Sequence, residues 1–266
     1  MGEQFVHNPE YKVEVRNLTK NFGDLKVLNN ISFNIKKGEF VCVVGPTGCG
    51  KTTFLNLLTR IIQPSSGDLY IDGEPADPHK HNLAFVFQEP SAIPWKTVEQ
   101  NLRFGLELKK LPEEQIRERV EKIIKLLGLE EFRNSYPHQL SMSCAQRVII
   151  GRGFAMNPDL LLMDEPYSQM DIKLRFYLED EVIRLWRELG STVVFITDPV
   201  QQAHHHQGGP VCGPAPPAGR HRSGVHPHPQ VCDRPDQVVV NQTARAAAPF
   251  RRGSPSVCTA RESIMR

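Results

Sequence analysis

The chain has 266 residues, of which 39% are hydrophobic, and its formal net charge at pH 7 is +2. This length suits one large domain or two small ones, the hydrophobic share supports a real core, and the small net charge gives no reason to expect a nucleic-acid partner. The sequence has no run of about 18 apolar residues that could span a membrane and no apolar signal segment at its N-terminus, so we expect a cytosolic chain. Six cysteines are scattered without a Cys-x-x-Cys pair, which favours free thiols.

The first part of the chain alternates between apolar stretches, which are typical of strands, and short turns. Strands are predicted over residues 13–17, 27–35, 39–44, 68–73 and 83–87, and a helix over residues 53–60. The turns fall at residues 21–24, 36–38 and 64–67. This pattern predicts an α/β fold.

From Glu89 onward the pattern becomes helical. Helices are predicted over residues 98–108, 113–127 and 141–155. Because this block interrupts the α/β pattern, we interpret residues from about 89 to 157 as an inserted helical subdomain. The α/β pattern then returns with a strand at residues 160–165, a helix at 172–189 and a strand at 192–197.

The clearest motif is the segment 45–52, which reads Gly-Pro-Thr-Gly-Cys-Gly-Lys-Thr and fits the phosphate-binding loop pattern. Its glycines allow the backbone to curl so that successive N–H groups face one anion, and the helix that follows favours phosphate at its N-terminus. Lys51 adds a positive charge for the β- and γ-phosphates, and Thr52 offers a hydroxyl to Mg²⁺. The alternative is a chance glycine-rich turn. The predicted nucleotide contacts here are Gly45, Pro46, Thr47, Gly48, Cys49, Gly50, Lys51, Thr52 and Thr53.

A second motif is the apolar strand that ends in two carboxylates, Asp164 and Glu165. We predict that Asp164 holds Mg²⁺, directly or through water, together with Thr52. Glu165 is predicted to act on the water that attacks the γ-phosphate, as a general base or an orienting group. The alternative is an acidic pair that simply faces solvent.

In their order, these motifs resemble those of the ATP-binding subunits of ABC transporters. Segment 45–52 resembles the Walker A loop of that family and segment 160–165 its Walker B strand, and the resemblance covers roughly residues 13–203. It implies a P-loop NTPase of ABC type in residues 1–203, with a mixed-sheet α/β core and the inserted helical subdomain. It also implies that ATP closes two copies head to tail, that hydrolysis opens them, and that membrane-spanning permease subunits hold the pair at the inner face of the membrane.

The resemblance assigns further residues. Gln88 matches the Q-loop glutamine, which implies a catalytic role and a Mg²⁺ contact that are coupled to the membrane subunit. Phe22 matches an aromatic residue that stacks on adenine, with ordinary packing as the alternative. Asp171 matches the D-loop aspartate. The signature segment, which implies contacts with nucleotide held by the opposite subunit, contributes Ser141, Ser143 and Gln146.

A narrower resemblance concerns the transported compound. Residues 86–95, 136–141 and 181–186 resemble segments of importers for nitrate, sulfonate, taurine and related compounds. We therefore predict an ATP-hydrolysing subunit of such an importer, which would meet its substrate-binding protein only indirectly. One alternative is a subunit that binds ATP but is impaired in hydrolysis. The other is a soluble, non-transport ABC ATPase, which usually carries two such domains or a long coiled-coil insertion that this chain lacks.

The sequence departs from the family pattern at two motifs. The signature usually has two glycines after Leu-Ser, and here Met142 and Ser143 stand in their place, which predicts a weakened ATP-bound dimer because glycine allows close approach to phosphate. The family also has a switch histidine after its last core strand, where this chain has Asp198 followed by Pro199. An aspartate cannot donate a hydrogen bond to the γ-phosphate and would repel it.

The third departure is the tail, residues 204–266. It contains no leucine and no lysine but nine of the 21 prolines. Three explanations remain open: a natural disordered tail, a metal-binding tract at residues 204–206, and a shifted reading frame that begins near Ala203. The shifted frame best explains the joint loss of leucine and lysine.

Overall fold

The computed structural model of the protein describes residues 7–89, 91–168 and 170–197, and the backbone alone of residues 239–242 and 262–264. The predicted departure at Asp198 and Pro199 and most of the tail lie outside these residues. The strands are β1 Tyr11–Phe22, β2 Leu25–Lys36, β3 Phe40–Val44, β4 Ser66–Ile71, β5 Glu74–Pro75, β6 Leu83–Val86, β7 Leu160–Asp164, β8 Thr192–Thr197, β9 Val239–Gln242 and β10 Glu262–Ile264. The α-helices are α1 Lys51–Leu58, α2 Val98–Leu108, α3 Glu113–Leu127, α4 Met142–Ala155 and α5 Ile172–Leu189.

One sheet is antiparallel, in the order β2-β1-β4-β5. Its hairpin β1–β2 is longer than predicted, because both strands continue to a tight turn at residues 23–24, where Gly23 has a φ of 58°. The register shifts between Val15 and Leu18, which interrupts the apolar alternation. For that reason the periodicity of the sequence predicted only residues 13–17 of β1, whereas the predicted strand 27–35 covers most of β2.

The second sheet places the sequence motifs at one edge. Strands β3, β8, β7 and β6 pair in parallel, with Val44 opposite Thr197 and Asp164 opposite Ile196. Parallel strands end on the same side of a sheet, so the loops after β3, β6 and β7 lie near one another. Strand β7 is buried throughout, as expected for a parallel strand that is covered on both faces.

Two short strands of the tail extend this sheet. β9 pairs antiparallel with β3 on the side opposite β8, and β10 pairs antiparallel with β9. The prediction of an irregular tail did not include them. The local signal was the run of three valines at residues 238–240, since β-branched residues favour strands.

The helices α2, α3 and α4 pack together as the predicted helical block. Thr97 begins α2 with a capping box that it forms with Gln100, and Gly128 ends α3 in a left-handed conformation, as predicted for a helix stop. The block shares one buried core with the second sheet, which includes Leu102, Leu106, Ile123, Ile124, Ile150, Phe154, Val86 and Met163. The predicted mixed α/β core with an inserted helical block is confirmed.

The composition raised two questions for the structure, whether a helix could span a membrane and where the cysteines lie. Within the described residues, no helix combines the length and the apolar character that a membrane span requires. Of the described cysteines, Cys42 and Cys144 are buried and Cys49 is partly exposed.

Candidate functional site

The loop 45–52 runs directly from β3 into α1 and curls as its motif predicts. Gly48 and Gly50 have φ values of 85° and 101°, a region that favours glycine. A Cβ on Gly50 would lie 2.9 Å from side-chain carbons of both Val27 and Leu28. Within the loop, the Cys49 N–H donates to the Pro46 carbonyl at 3.2 Å. The two glycines are therefore required by backbone conformation and, at Gly50, by lack of space.

Lys51 folds back over its own loop. Its Nζ donates to the carbonyls of Gly45 at 2.7 Å and Pro46 at 3.2 Å, and it lies 3.3 Å from Glu165 Oε1. The side chain is only 4% exposed. A phosphate that binds here would have to replace these partners of the ammonium. Such an exchange is favourable because charge-assisted hydrogen bonds to phosphate are strong.

Thr52 and Asp164 are adjacent, as predicted for a shared metal site. Thr52 Oγ1 donates to Asp164 Oδ1 at 3.1 Å. Burial raises the pKa of the Asp164 carboxyl; the hydrogen bond from Thr52 opposes this rise and the neighbouring Glu165 carboxylate adds to it. Two hard oxygen donors side by side suit Mg²⁺, so these residues fit the ion that the sequence predicts.

Glu165 is held at a backbone turn directly after β7. Its φ is 42°, which is uncommon for a residue other than glycine and marks a constrained position. Its N–H donates to the Ile196 carbonyl of β8 at 3.2 Å. The carboxylate points to the loop, as its contact with Lys51 shows, so the predicted base and the predicted phosphate-binding lysine are brought together.

Gln88 lies in the loop after β6 and reaches the segment that follows Glu165. Its Nε2 donates to Ser168 Oγ at 3.3 Å. Ser168 lies in the segment 167–171, which resembles the D-loop, but sequence reasoning assigned it no role of its own because the contact joins residues 80 positions apart. The Mg²⁺ contact of Gln88 stays a prediction.

The residues of the signature segment are engaged within their own region. Ser141 caps α4, where its Oγ accepts from the Cys144 N–H at 3.3 Å and lies 3.1 Å from Ser143 Oγ. Gln146 is buried, and its amide donates to the Pro166 carbonyl at 2.7 Å. The predicted nucleotide contact of Gln146 would have to use the remaining amide groups of this buried side chain, and it stays a prediction. Met142 is 59% exposed at the start of α4.

Two further predicted contacts occupy exposed positions. Asp171 caps α5, with its Oδ1 accepting from the Leu174 N–H at 3.0 Å. Phe22 is 49% exposed at the end of β1, and the Lys20 ammonium lies 4.8 Å from its ring centroid. An exposed ring of this kind can stack on a planar ligand.

Replacing Asp164 by asparagine is expected to stabilise the nucleotide-free protein and to abolish its response to Mg²⁺. The raised pKa means that the ionised carboxyl is less favourable in the folded than in the unfolded chain at neutral pH, so a neutral amide removes a cost. We expect the midpoint of thermal unfolding at pH 7 to rise by a few degrees, which corresponds to roughly 1 kcal/mol. The further rise that wild type shows when Mg²⁺ is added with ATP should be lost.

Asp180→Asn, at an exposed position of α5, is the matched control. It should have the unfolding midpoint of wild type both without nucleotide and with Mg²⁺ and ATP. A variant Asp164→Asn that still responds to Mg²⁺ as wild type does would exclude Asp164 from the metal site.

The chain is similar in sequence to known proteins. A family model described as ABC transporter matches residues 28–168. An uncharacterized ABC transporter ATP-binding protein of Methanocaldococcus jannaschii is 40% identical over 196 residues, which cover 72% of this chain and 73% of that protein. The spermidine/putrescine import ATP-binding protein PotA of Oleidesulfovibrio alaskensis is 41% identical over 197 residues, which cover 73% of this chain. The match spans only 53% of that PotA, about half its length.

The fold has a counterpart among solved structures. The dimeric structure of MJ0796, a bacterial ABC transporter cassette, superposes with a TM-score of 0.60 and 34% identity, covering 70% of this chain and 87% of that one. The fold class predicted from the sequence, an α/β P-loop NTPase of ABC type, is confirmed.

Proposed function

Because the chain belongs to the ABC transporter family of ATPase domains, we propose that it binds ATP at the loop 45–52 and hydrolyses it to energise an importer. The observation that carries the proposal is one cluster: Lys51 lies 3.3 Å from Glu165, and Thr52 lies 3.1 Å from Asp164. A phosphate-binding lysine, a metal-binding pair and a carboxylate base are the groups that phosphoryl transfer to water requires.

The cluster supports an order of events. The phosphates of ATP compete with Glu165 for the Lys51 ammonium, so binding releases the carboxylate from its ion pair. Glu165 then can accept a proton from the attacking water, while its constrained backbone keeps it at the loop. Mg²⁺ bound at Thr52 and Asp164 would neutralise part of the negative charge of the phosphates. We include Gln88 as the residue that links this centre to a partner, since it contacts the segment after Glu165.

The partner that we propose is a membrane-spanning permease, with this chain bound peripherally at the inner face of the membrane. A cleft of about 410 Å³ lies beside residues 91–96 and Phe104, next to the loop that carries Gln88. In it Trp95 is 75% exposed, and tryptophan is enriched at protein interfaces. The dimeric relative supports pairing of two copies. In this pair we propose that the loop 45–52 of each copy faces the Ser141 segment of the other. A substrate-binding protein would act through the permease.

We further propose that the transported compound is nitrate, a sulfonate, taurine or a related small molecule. The support is the resemblance of residues 86–95 to such importers, whereas the PotA relative is named for spermidine and putrescine. Uptake of labelled taurine, nitrate and putrescine by cells with and without the gene separates these classes. Loss of putrescine uptake alone would overturn the narrower assignment and leave the importer function in place.

The direct test of the function is release of phosphate from ATP by the purified chain and by the chain bound to its permease. Release should require Mg²⁺. If neither preparation hydrolyses ATP, the proposed hydrolysis is wrong.

A second candidate is a subunit that binds ATP but turns it over poorly. The observation in its favour is the exposed side chain of Met142 at the start of α4. In the proposed dimer, the phosphate of ATP bound by the other copy would have to approach this place. A bulky side chain at this place keeps the backbone away from the phosphate.

Restoring both glycines, as Met142→Gly with Ser143→Gly, is therefore expected to strengthen the ATP-bound dimer and to raise turnover by about fivefold or more, a gain of roughly 1 kcal/mol. The change weakens the first turn of α4 by roughly 1 kcal/mol per glycine, so the midpoint of unfolding should fall slightly. Light scattering with ATP measures dimerisation, and phosphate release measures turnover. The control Lys173→Gly weakens the first turn of α5 in the same way but should not raise turnover. Unchanged dimerisation would show that these side chains are not the obstacle.

A further inference from the structure

The segment after Glu165 is bound from two helices through its main-chain carbonyls. Gln146 of α4 donates to the Pro166 carbonyl at 2.7 Å. Arg175 of α5 donates through Nη2 to the Tyr167 carbonyl at 2.9 Å and to the Met170 carbonyl at 3.5 Å. We call residues 165–168 and 170–171 the carboxylate loop, because Glu165 begins it.

Hydrogen bonds within the carboxylate loop connect its later residues to Glu165. The Ser168 N–H donates to the Glu165 carbonyl at 3.1 Å, and the Met170 N–H donates to the Tyr167 carbonyl at 3.1 Å. The Tyr167 side chain is 2% exposed, and its hydroxyl donates to the Leu178 carbonyl at 3.1 Å. A shift of the carbonyls that Arg175 holds would therefore move the backbone at Glu165.

The burial of Arg175 argues for a task beyond packing. The side chain is 7% exposed, and within the described residues its Nε has no hydrogen-bond partner. A buried polar atom without a partner costs stability, so the fold keeps a guanidinium at this place at a cost that its two bonds to the loop must offset. The guanidinium offers a planar set of donors that holds two carbonyls of one loop at once, which a lysine cannot match.

We propose that Arg175 is a positioning residue, which holds the carboxylate loop so that Glu165 stands where a water attacks the γ-phosphate. This inference rests on the proposed function, because it assigns Arg175 a part in hydrolysis. Arg175 acts through the main chain and does not touch the reacting atoms. A misplacement of about 1 Å at a reacting group can lower a rate by up to about 100-fold, while the binding of the triphosphate at the loop 45–52 is untouched.

The test compares Arg175→Met with Arg187→Met, an exposed position of the same helix. For Arg175→Met we expect kcat to fall at least about tenfold with KM within about twofold of wild type, since only the transition state is affected. In the nucleotide-free chain, hydrogen exchange of peptides that cover residues 165–171 should become faster, without a change in β7. Arg187→Met should match wild type in all three measurements.

Two further variants sharpen the result. Arg175→Lys can still donate to one carbonyl and should give an intermediate kcat, and it carries the test if Arg175→Met does not fold. In a Glu165→Gln background, Arg175→Met should cause no additional loss, because the residue that it positions is gone. An undiminished kcat, a rise in KM alone, or an equal loss in the Glu165→Gln background would each overturn the proposal.

The exchange measurement separates this inference from the proposed function. If the wild-type chain hydrolyses no ATP, the proposed function fails, and exchange alone then decides whether Arg175 holds the loop. Faster exchange confined to residues 165–171 supports that placement, and unchanged exchange overturns it.

Discussion

Replacing Lys51 by alanine is expected to lower the affinity of the chain for ATP by about 100-fold or more. The Lys51 ammonium is a buried positive charge in the loop 45–52, with contacts at 2.7 and 3.2 Å to carbonyls of the loop and at 3.3 Å to Glu165. A hydrogen bond to a charged group contributes roughly 1.5–3 kcal/mol, and about 2.7 kcal/mol corresponds to 100-fold in a dissociation constant. Titration with a fluorescent ATP analogue measures the effect.

The matched control is Lys173→Ala, which removes an exposed ammonium from α5 and should leave ATP affinity unchanged. The substitution removes the Lys51 donor from the carbonyls of Gly45 and Pro46, and Pro46 keeps its bond from the Cys49 N–H. Circular dichroism must therefore first show that the variant is folded. A folded Lys51→Ala variant that binds ATP as tightly as wild type would exclude the loop as the phosphate site.

Replacing Glu165 by glutamine is expected to reduce ATP turnover by about 100-fold or more, because an amide cannot accept the proton of the attacking water. ATP binding should be retained and should become tighter by about fivefold. In the nucleotide-free chain Glu165 lies 3.3 Å from Lys51, and a partly buried ion pair that ATP must break opposes binding by roughly 1 kcal/mol. A neutral amide removes most of that competition.

This double expectation can be checked on one preparation by measuring phosphate release and ATP affinity together. Glu188→Gln, at an exposed position of α5, should change neither quantity. Turnover that survives Glu165→Gln would remove Glu165 from the mechanism. Weaker ATP binding would show instead that the Lys51–Glu165 pair supports the loop and does not compete with phosphate.

Most of the fold and the centre of the site could be predicted because their signals are local in the chain. The strand, loop and helix around residues 45–52 follow from apolar runs and glycine positions, and the helical block follows from helical periodicity that ends at Gly128. Predictions were less accurate where a local signal was weak. The irregular register between Val15 and Leu18 concealed the length of β1, and the two valines at residues 239–240 were not recognised as the start of β9.

The sequence by itself determined the chemistry that this protein can offer: a glycine-rich loop with Lys51 and Thr52, and an apolar strand that ends in Asp164 and Glu165. These are properties of residue type and spacing, which need no knowledge of distant contacts. The tertiary structure alone decided which groups meet. Thr52 and Asp164 are 112 positions apart and become neighbours because β3 and β7 end at the same edge of a parallel sheet. Gln146 turns inward to a main-chain carbonyl, and Arg175 holds the loop behind Glu165, because a buried polar group must find its partner wherever the packing of the helices places one.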